Sequence, residues 1–400
     1  MKMIAGVDLK YRLRVAWAAH TGAPATTAFN AEEHLGRFLA RDTFTITDDH
    51  PDVILFMSGG SERRALALAD PQRPVLLLSI RGNNAYAAAT EAMAWMINNG
   101  MTAMLSDISE AAESGLLEGW QRVAGAWESL KGIRTGLIGT VSEWLVASDV
   151  SAATLKDRLG VTLVGIPWND LPDYTMSEPD VNLLSRFGGT DPEQLGEAAK
   201  VLTLLRKVIS ENDLHAAGVE CFSLVQQRKV TACLALAQLN TEGTVAACEG
   251  DLASLAGMLA GKALTGKVPW MANTTCLTEK TVILSHCTAP FDLVREVNLP
   301  SHFETGYSLA VDGDIPLQEV TLFRFSEKLD RVFLEEGTII SRPRLRDACR
   351  TQAEIEIPSR GLALLRNRPL GNHLLMIPGR HSRLLELAFR YKGFEVLTWS

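Results

Sequence analysis

Asp52-Val-Ile-Leu-Phe-Met57, followed by Ser58-Gly59-Gly60-Ser61 and then a stretch rich in Glu, Arg, Ala and Leu, decides how this chain folds. A short, uninterrupted apolar run is the mark of a strand covered on both faces. The glycines and serines after it are turn chemistry, and the next residues suit a helix. The same order recurs at once. Pro74-Val-Leu-Leu-Leu-Ser-Ile80 is a second buried strand, Arg81-Gly82-Asn83-Asn84 a second turn, and an Ala/Met/Trp helix runs on through Ile97. Strand, turn and helix in repetition predict βαβ units on a mainly parallel sheet.

Reading outward, the pattern restarts near Arg134. Thr135-Gly-Leu-Ile-Gly139 and Val161-Thr-Leu-Val-Gly-Ile166 are strands, Pro192 to Glu211 is a long helix, Gly218 to Leu224 is strand-like, and Lys229 to Leu239 is helical. From Lys267 the texture changes. Short β-like runs follow one another at Thr281–Ser285, Glu319–Arg324, Gly337–Ile340 and Ala353–Ile357, with one late helix from His381 to Tyr391. The sequence therefore predicts three segments. Two are doubly wound parallel-sheet α/β domains, at 1–133 and 134–266. The third, at 267–400, is a β-rich, barrel-like domain.

Composition sets limits around that plan. Lys plus Arg is 39 and Asp plus Glu is 47, a net charge of −8, and no basic tract is present. That balance argues against a nucleic-acid partner. No run approaches the roughly 18 uncharged apolar residues of a membrane span. The opening MKMIAGVDLKYRLR meets Asp8 and Lys10 almost at once, so it lacks a signal-peptide core, and a cytoplasmic protein is expected. The cysteines, Cys221, Cys233, Cys248, Cys276, Cys287 and Cys349, form no CxxC pair and read as buried, reduced thiols.

The motifs that could carry chemistry differ in weight. Gly261-Lys-Ala-Leu-Thr-Gly266-Lys267 nearly spells a phosphate loop, but Val268 stands where Ser or Thr would bind magnesium. It reads instead as a helix end capped by Gly266. The Ser58–Ser61 and Arg81–Asn84 turns lie at the carboxyl ends of strands, where such sheets bind ligands; ordinary turn chemistry is the simpler reading of either alone, and two of them at one edge favour a functional edge. The most informative run is Asn240-Thr-Glu-Gly-Thr-Val-Ala-Ala-Cys-Glu249-Gly250-Asp251. Asp251 suits the N-cap of the helix that follows. Glu249 has no such duty, and a carboxylate ending a buried strand must be paired, protonated or metal-bound. Downstream come Asn273, His286 and His373, and a lone histidine in an apolar run reads first as a satisfied core residue and only then as a ligand.

Cys248-Glu249-Gly250-Asp251, Pro269-Trp-Met-Ala-Asn273, Ser285-His286-Cys287, Cys349-Arg350-Thr351-Gln352 and Gly371-Asn372-His373 together resemble the L-fucose and L-arabinose isomerase superfamily. The likeness is closest to its shorter, fucose-isomerase-like members and covers the chain from about Gly218 onward. It implies two α/β domains and a barrel-like third, and self-association into trimers or hexamers. It also implies a manganese-type ion and the interconversion of aldoses and ketoses through an ene-diol. Glu249 would be the first catalytic carboxylate and a metal ligand, with His373 a second ligand. His286, near another histidine position, is assigned to substrate binding. So are Arg81, Asn83, Asn84 and Arg350, which would suit a small sugar or a charged sugar derivative. Asn273 departs from the pattern. It stands where the isomerases carry a second acid, and an amide cannot exchange a proton near neutral pH. The expectation is thus isomerase-like ene-diol chemistry. Its alternatives are a retro-aldol lyase or transferase on ketoses, or a sugar-binding protein that has lost turnover with the second carboxylate.

Overall fold

A computed structural model of the 400-residue chain describes residues 11–24 and 26–398, without the side chains at 28 and 29. Asp8 and Lys10, on which the reading of the N-terminus rests, lie outside the described residues. The chain divides into two compact units. Among the described residues, one runs from Tyr11 to Glu128 together with Leu387–Gly393, and the other is Ser129–Glu386 with the segment from Phe394 to Thr398.

The N-terminal unit is built on a parallel sheet. β1 (Leu13–Ala18), β2 (Phe44–Ile46), β3 (Val53–Phe56), β4 (Val75–Ser79) and β5 (Ala103–Asp107) lie in the order β2-β1-β3-β4-β5. The apolar runs that fix the fold are β3 and β4, and every residue of both is buried. Glu62–Leu68 is the helix between β3 and β4, and Ala85–Asn98 the helix between β4 and β5. Within this unit the Trp120 indole donates to the Asp52 carbonyl at 2.9 Å. The Asp52 carboxylate takes Arg14 at 2.7 Å and the Tyr11 hydroxyl at 2.8 Å.

The second unit begins with another parallel sheet. Here β6 (Arg134–Ile138), β7 (Thr162–Ile166), β8 (Ala216–Val219) and β9 (Val245–Cys248) are ordered β7-β6-β8-β9. One sequence expectation is corrected here. Gly218 to Leu224 is not a single strand: β8 stops at Val219, and Phe222–Arg228 is helical. The Glu220 carboxylate accepts the Ser223 N–H at 3.0 Å and starts that helix.

Beyond it the chain closes a six-stranded antiparallel barrel. Its strands are β10 (Trp270–Leu277), β11 (Thr281–His286), β14 (Glu319–Phe325), β15 (Arg331–Ser341), β16 (Thr351–Glu356) and β17 (His373–Pro378). They run β14-β17-β10-β11-β16-β15, and β15 pairs back to β14. A two-stranded ribbon of β12 (Arg295–Asn298) and β13 (Asp312–Asp314) is inserted, and β18 (Glu395–Val396) adds in parallel to β15.

The central sheet and the barrel share one unit because of the helix Leu252–Thr265. All of its residues but the last are buried. Gly257 and Gly261, four apart, face the barrel. A Cβ on Gly257 would lie 2.3 Å from Leu375, and one on Gly261 would meet Phe323 at 3.2 Å and Ile377 at 3.3 Å. Two glycines on one helix face let the backbone rest directly on β14 and β17. The helix ends at Gly266, left-handed at φ 77°, so the phosphate-loop look-alike is a helix C-cap. Among the described residues no helix is long and apolar enough to cross a membrane.

Candidate metal centre

Glu249, His286 and His373 come together from three elements. β9 ends at Cys248, so Glu249 is the first residue of the turn that leads into the Leu252–Thr265 helix. His286 is the last residue of β11, and His373 the first of β17. The Glu249 Oε1 atom lies 3.5 Å from His373 Nε2 and 3.7 Å from His286 Nε2. Ligands held at about 2.0–2.2 Å around a tetrahedral ion are spaced roughly 3.3–3.6 Å apart, close to these values.

The turn itself is strained. Glu249 has φ 59° and Gly250 φ 65°. A left-handed glutamate costs roughly 1–2 kcal/mol, and such strain persists where its surroundings over-determine it. The neighbours here do so. The Glu249 carbonyl accepts the Ser142 N–H at 3.0 Å. Gly250 must be glycine, because a Cβ there would sit 2.3 Å from the Thr140 carbonyl oxygen. With the 140–144 loop drawn in this way, the Trp144 indole N–H donates to Glu249 Oε2 at 2.6 Å. The two oxygens of Glu249 are therefore divided: Oε1 faces the imidazoles, and Oε2 is held by the indole.

Each histidine is oriented through its other nitrogen. His373 Nδ1 meets Asp251 Oδ2 at 2.8 Å, and His286 Nδ1 meets Thr288 Oγ1 at 2.8 Å. The Nε2 atoms of both rings are buried and have no hydrogen-bond partner. An orphaned buried ring nitrogen is costly. Two of them aimed at one carboxylate oxygen, with the remote nitrogens anchored, is how metal-binding histidines are held. The residues present thus fit a divalent cation. Two imidazoles and one carboxylate suit manganese, iron, cobalt or zinc better than magnesium.

The charges agree with this arrangement. Burial would raise the Glu249 carboxyl, but the facing imidazoles of His286 and His373 overcome it and hold the group far below the usual carboxylate range. Asp251 is likewise depressed against its burial, by Arg324 first and then His373. Burial opposes protonation of His373, yet Asp251 and Glu249 prevail and raise it to about 9. His286 is lowered, because burial outweighs Glu249.

Beneath the group lies Arg324, 1 % exposed. Its Nη1 donates to Asp251 Oδ2 at 3.2 Å, Ser254 Oγ at 3.1 Å and the His373 carbonyl at 3.0 Å, and its Nη2 to Ser148 Oγ at 2.7 Å. Gly371, at φ 147°, leaves it room, since a Cβ there would be 2.3 Å from Nη2. Arg324 ties together the helix start, β17 and the 147–148 loop.

Other expected residues fall in several places. His286, assigned to the substrate, stands in the group with Glu249 and His373. Asn273 is opposite His373 in the β10–β17 register, so both project from one face of the sheet. Its Oδ1 accepts from Asn372, and its Nδ2 reaches Cys349 Sγ at 3.9 Å. Arg350 donates to the Ser301 carbonyl at 2.9 Å. Arg81, Asn83 and Asn84 are exposed in the N-terminal unit, at the carboxyl end of β4, while the Glu249 group is drawn wholly from the other unit. Sequence reasoning missed Trp144, Arg324 and the second duty of Asp251. Arg324 carried a signal, a lone charge in the apolar run Val-Thr-Leu-Phe-Arg-Phe. Trp144 carried none.

All six cysteines are free, and Cys276 alone is exposed, which corrects the expectation that all are buried. No known family model matches the chain, and no protein of curated function matches it.

Proposed function

We propose that this protein is a metal-dependent enzyme acting on a sugar or sugar derivative through an ene-diol, most nearly an aldose–ketose isomerase. The observation that carries the reading is the pair of buried, unpartnered Nε2 atoms of His286 and His373 facing Glu249 Oε1. Those three side chains would hold the ion, with manganese the first candidate. When bound, it supplies Lewis-acid stabilisation of the negative charge that develops on adjacent substrate oxygens. Asp251 and Thr288 keep the rings turned inward, and Trp144 keeps Oε1 of Glu249 pointed at them. The resemblance of the surrounding motifs supplies the sugar class, and with it self-association into a trimer or hexamer.

Neutral Asn273 beside His373 favours a second reading, retro-aldol cleavage of a ketose, which uses the same charge stabilisation and one base. Titrating Mn²⁺ into metal-free protein by calorimetry tests the site. One ion per chain is expected, with affinity falling at least 100-fold in Glu249→Gln. Product analysis by NMR with L-fucose, L-arabinose and their epimers then decides the reaction. A ketose means isomerase, and a short aldehyde or ketone means lyase. Binding without turnover leaves a sugar-binding protein, and no metal binding ends the proposal.

A further inference from the structure

Resting on that reading, we infer that the proton carried between substrate carbons is handled by Glu304, paired with His302, and that Glu249 serves only as a ligand. Two features of the site lead there. Both oxygens of Glu249 are committed, one toward the imidazoles and one to the Trp144 indole at 2.6 Å. Asn273, next to His373, is neutral, and its amide is engaged by Asn372 and Cys349.

Glu304 is a half-exposed carboxylate whose chain neighbour Phe303 meets Cys287, the residue after His286. It stands on a short loop whose place is fixed from several sides. The His302 carbonyl accepts the Gly306 N–H at 2.9 Å, and the His302 N–H reaches the Tyr307 carbonyl at 3.2 Å. Arg350 holds the Ser301 carbonyl, and its guanidinium lies 5.8 Å from the centre of the Phe303 ring. Phe303 packs on the buried Cys233, Cys287 and Cys349, and its N–H is received by the sulfur of Cys287, the residue after His286. On the other side, a line of aromatic contacts connects the loop to Glu249. Trp144 meets Phe222 edge-on at 4.8 Å, and Phe222 meets His302 at 6.1 Å. Glu304 Oε2 is 4.0 Å from His302 Nε2, and His302 Nδ1 is 3.1 Å from Thr305 Oγ1.

The charged surroundings suit proton exchange. Burial and the Glu249 charge raise Glu304, with His373 opposing. Burial, His286 and Arg350 lower His302 to about 4, against Glu249, so the imidazole is neutral at pH 7. Because Glu304 keeps 48 % of its side-chain surface, a substrate can touch it. The step balances within the substrate. Glu304 takes the C2 proton, the C–H pair becomes the C1–C2 double bond, and the carbonyl pair moves to O1. The proton then returns from Glu304 to C1. The O2 proton passes to O1 by way of His302, and aldose has become ketose.

The test uses the full-length chain and three readouts. The first is a pH titration of metal-free protein with ¹³C-labelled glutamate carboxyls. It is expected to show one carboxyl titrating above the rest, absent from Glu304→Gln and still present as an aspartate signal in suitably labelled Glu304→Asp. The second is calorimetry with Mn²⁺ alone. Glu304→Gln is expected to bind within about threefold of the wild type, whereas Glu249→Gln is not. The third is deuterium entry at C2 of L-fucose, L-arabinose and their epimers in D₂O. It is expected to fall by about 10²–10⁴-fold in Glu304→Gln and to recover in part in Glu304→Asp. Unchanged deuterium entry, a Glu304 signal that titrates with the others, or Mn²⁺ affinity lost as in Glu249→Gln overturns this inference alone. A wild type that binds no Mn²⁺, or that exchanges no C2 hydrogen, overturns the proposed function and this inference with it.

Discussion

Two turns at the carboxyl ends of parallel strands can be set side by side. After β4, Gly82, Asn83 and Asn84 take φ values of 95°, 51° and 55°, and all three are exposed. After β9, Glu249 and Gly250 take 59° and 65°, and both are screened from solvent. The first turn uses residue types that tolerate the left-handed region. The second places there a glutamate, which does not. Its strain is held by a neighbouring loop, a helix start and barrel strands. Ordinary turn chemistry makes the first geometry, whereas packing enforces the second and aims a carboxylate.

The sharpest way to break this comparison is to remove the support beneath the second turn. Arg324→Leu leaves Asp251 buried without its cation, and breaking a buried pair from one side costs about 3–5 kcal/mol. Urea unfolding followed by fluorescence should show that loss. Arg81→Ala, at the first turn, removes an exposed contact to Asp107 at 3.5 Å and should change stability by less than about 0.5 kcal/mol. Equal effects would erase the distinction.

A second test uses pH. His373 is raised in the folded state from 6.5 to about 9, so its contribution is fully present below pH 6.5 and is lost as pH rises through 9. At about 1.36 kcal/mol per unit, the metal-free protein should lose roughly 3 kcal/mol across that interval. Saturating Mn²⁺ should abolish the decline, because the ion replaces the proton on the ring. A flat metal-free profile would mean that the second turn does not govern His373.

The smallest effect probes the strain. Glu249→Gly relieves a left-handed residue and should stabilise the metal-free protein by about 1 kcal/mol above pH 9, where His373 is neutral, while abolishing Mn²⁺ binding. Asn84→Gly, where the residue already accepts its conformation, should change stability by a few tenths at most. Destabilisation by Glu249→Gly would show that the carboxylate supports the fold.

Much of this was legible in the chain. β3 and β4 are read from unbroken apolar runs, because a strand covered on both faces tolerates nothing else. The helix Pro192–Glu211 is read from its period and from Asp191, whose carboxylate caps the N–H groups of Glu193 and Gln194. Glu249 stood out because a carboxylate after Val-Ala-Ala-Cys has no local partner, whereas His286 and His373 read locally as core residues and were picked out by the resemblance of the motifs around them. All these signals lie within a few residues of the feature they report. The tertiary structure decided that the three side chains share one point, that Asp251 caps a helix with one oxygen and orients His373 with the other, and that Trp144, 105 residues from Glu249, holds its second oxygen. It also decided that the strands after 267 close on themselves through β14 and β15. Those contacts join residues far apart in the chain, so they follow from how the helix Leu252–Thr265 lies on the barrel through Gly257 and Gly261, a packing that no local pattern encodes.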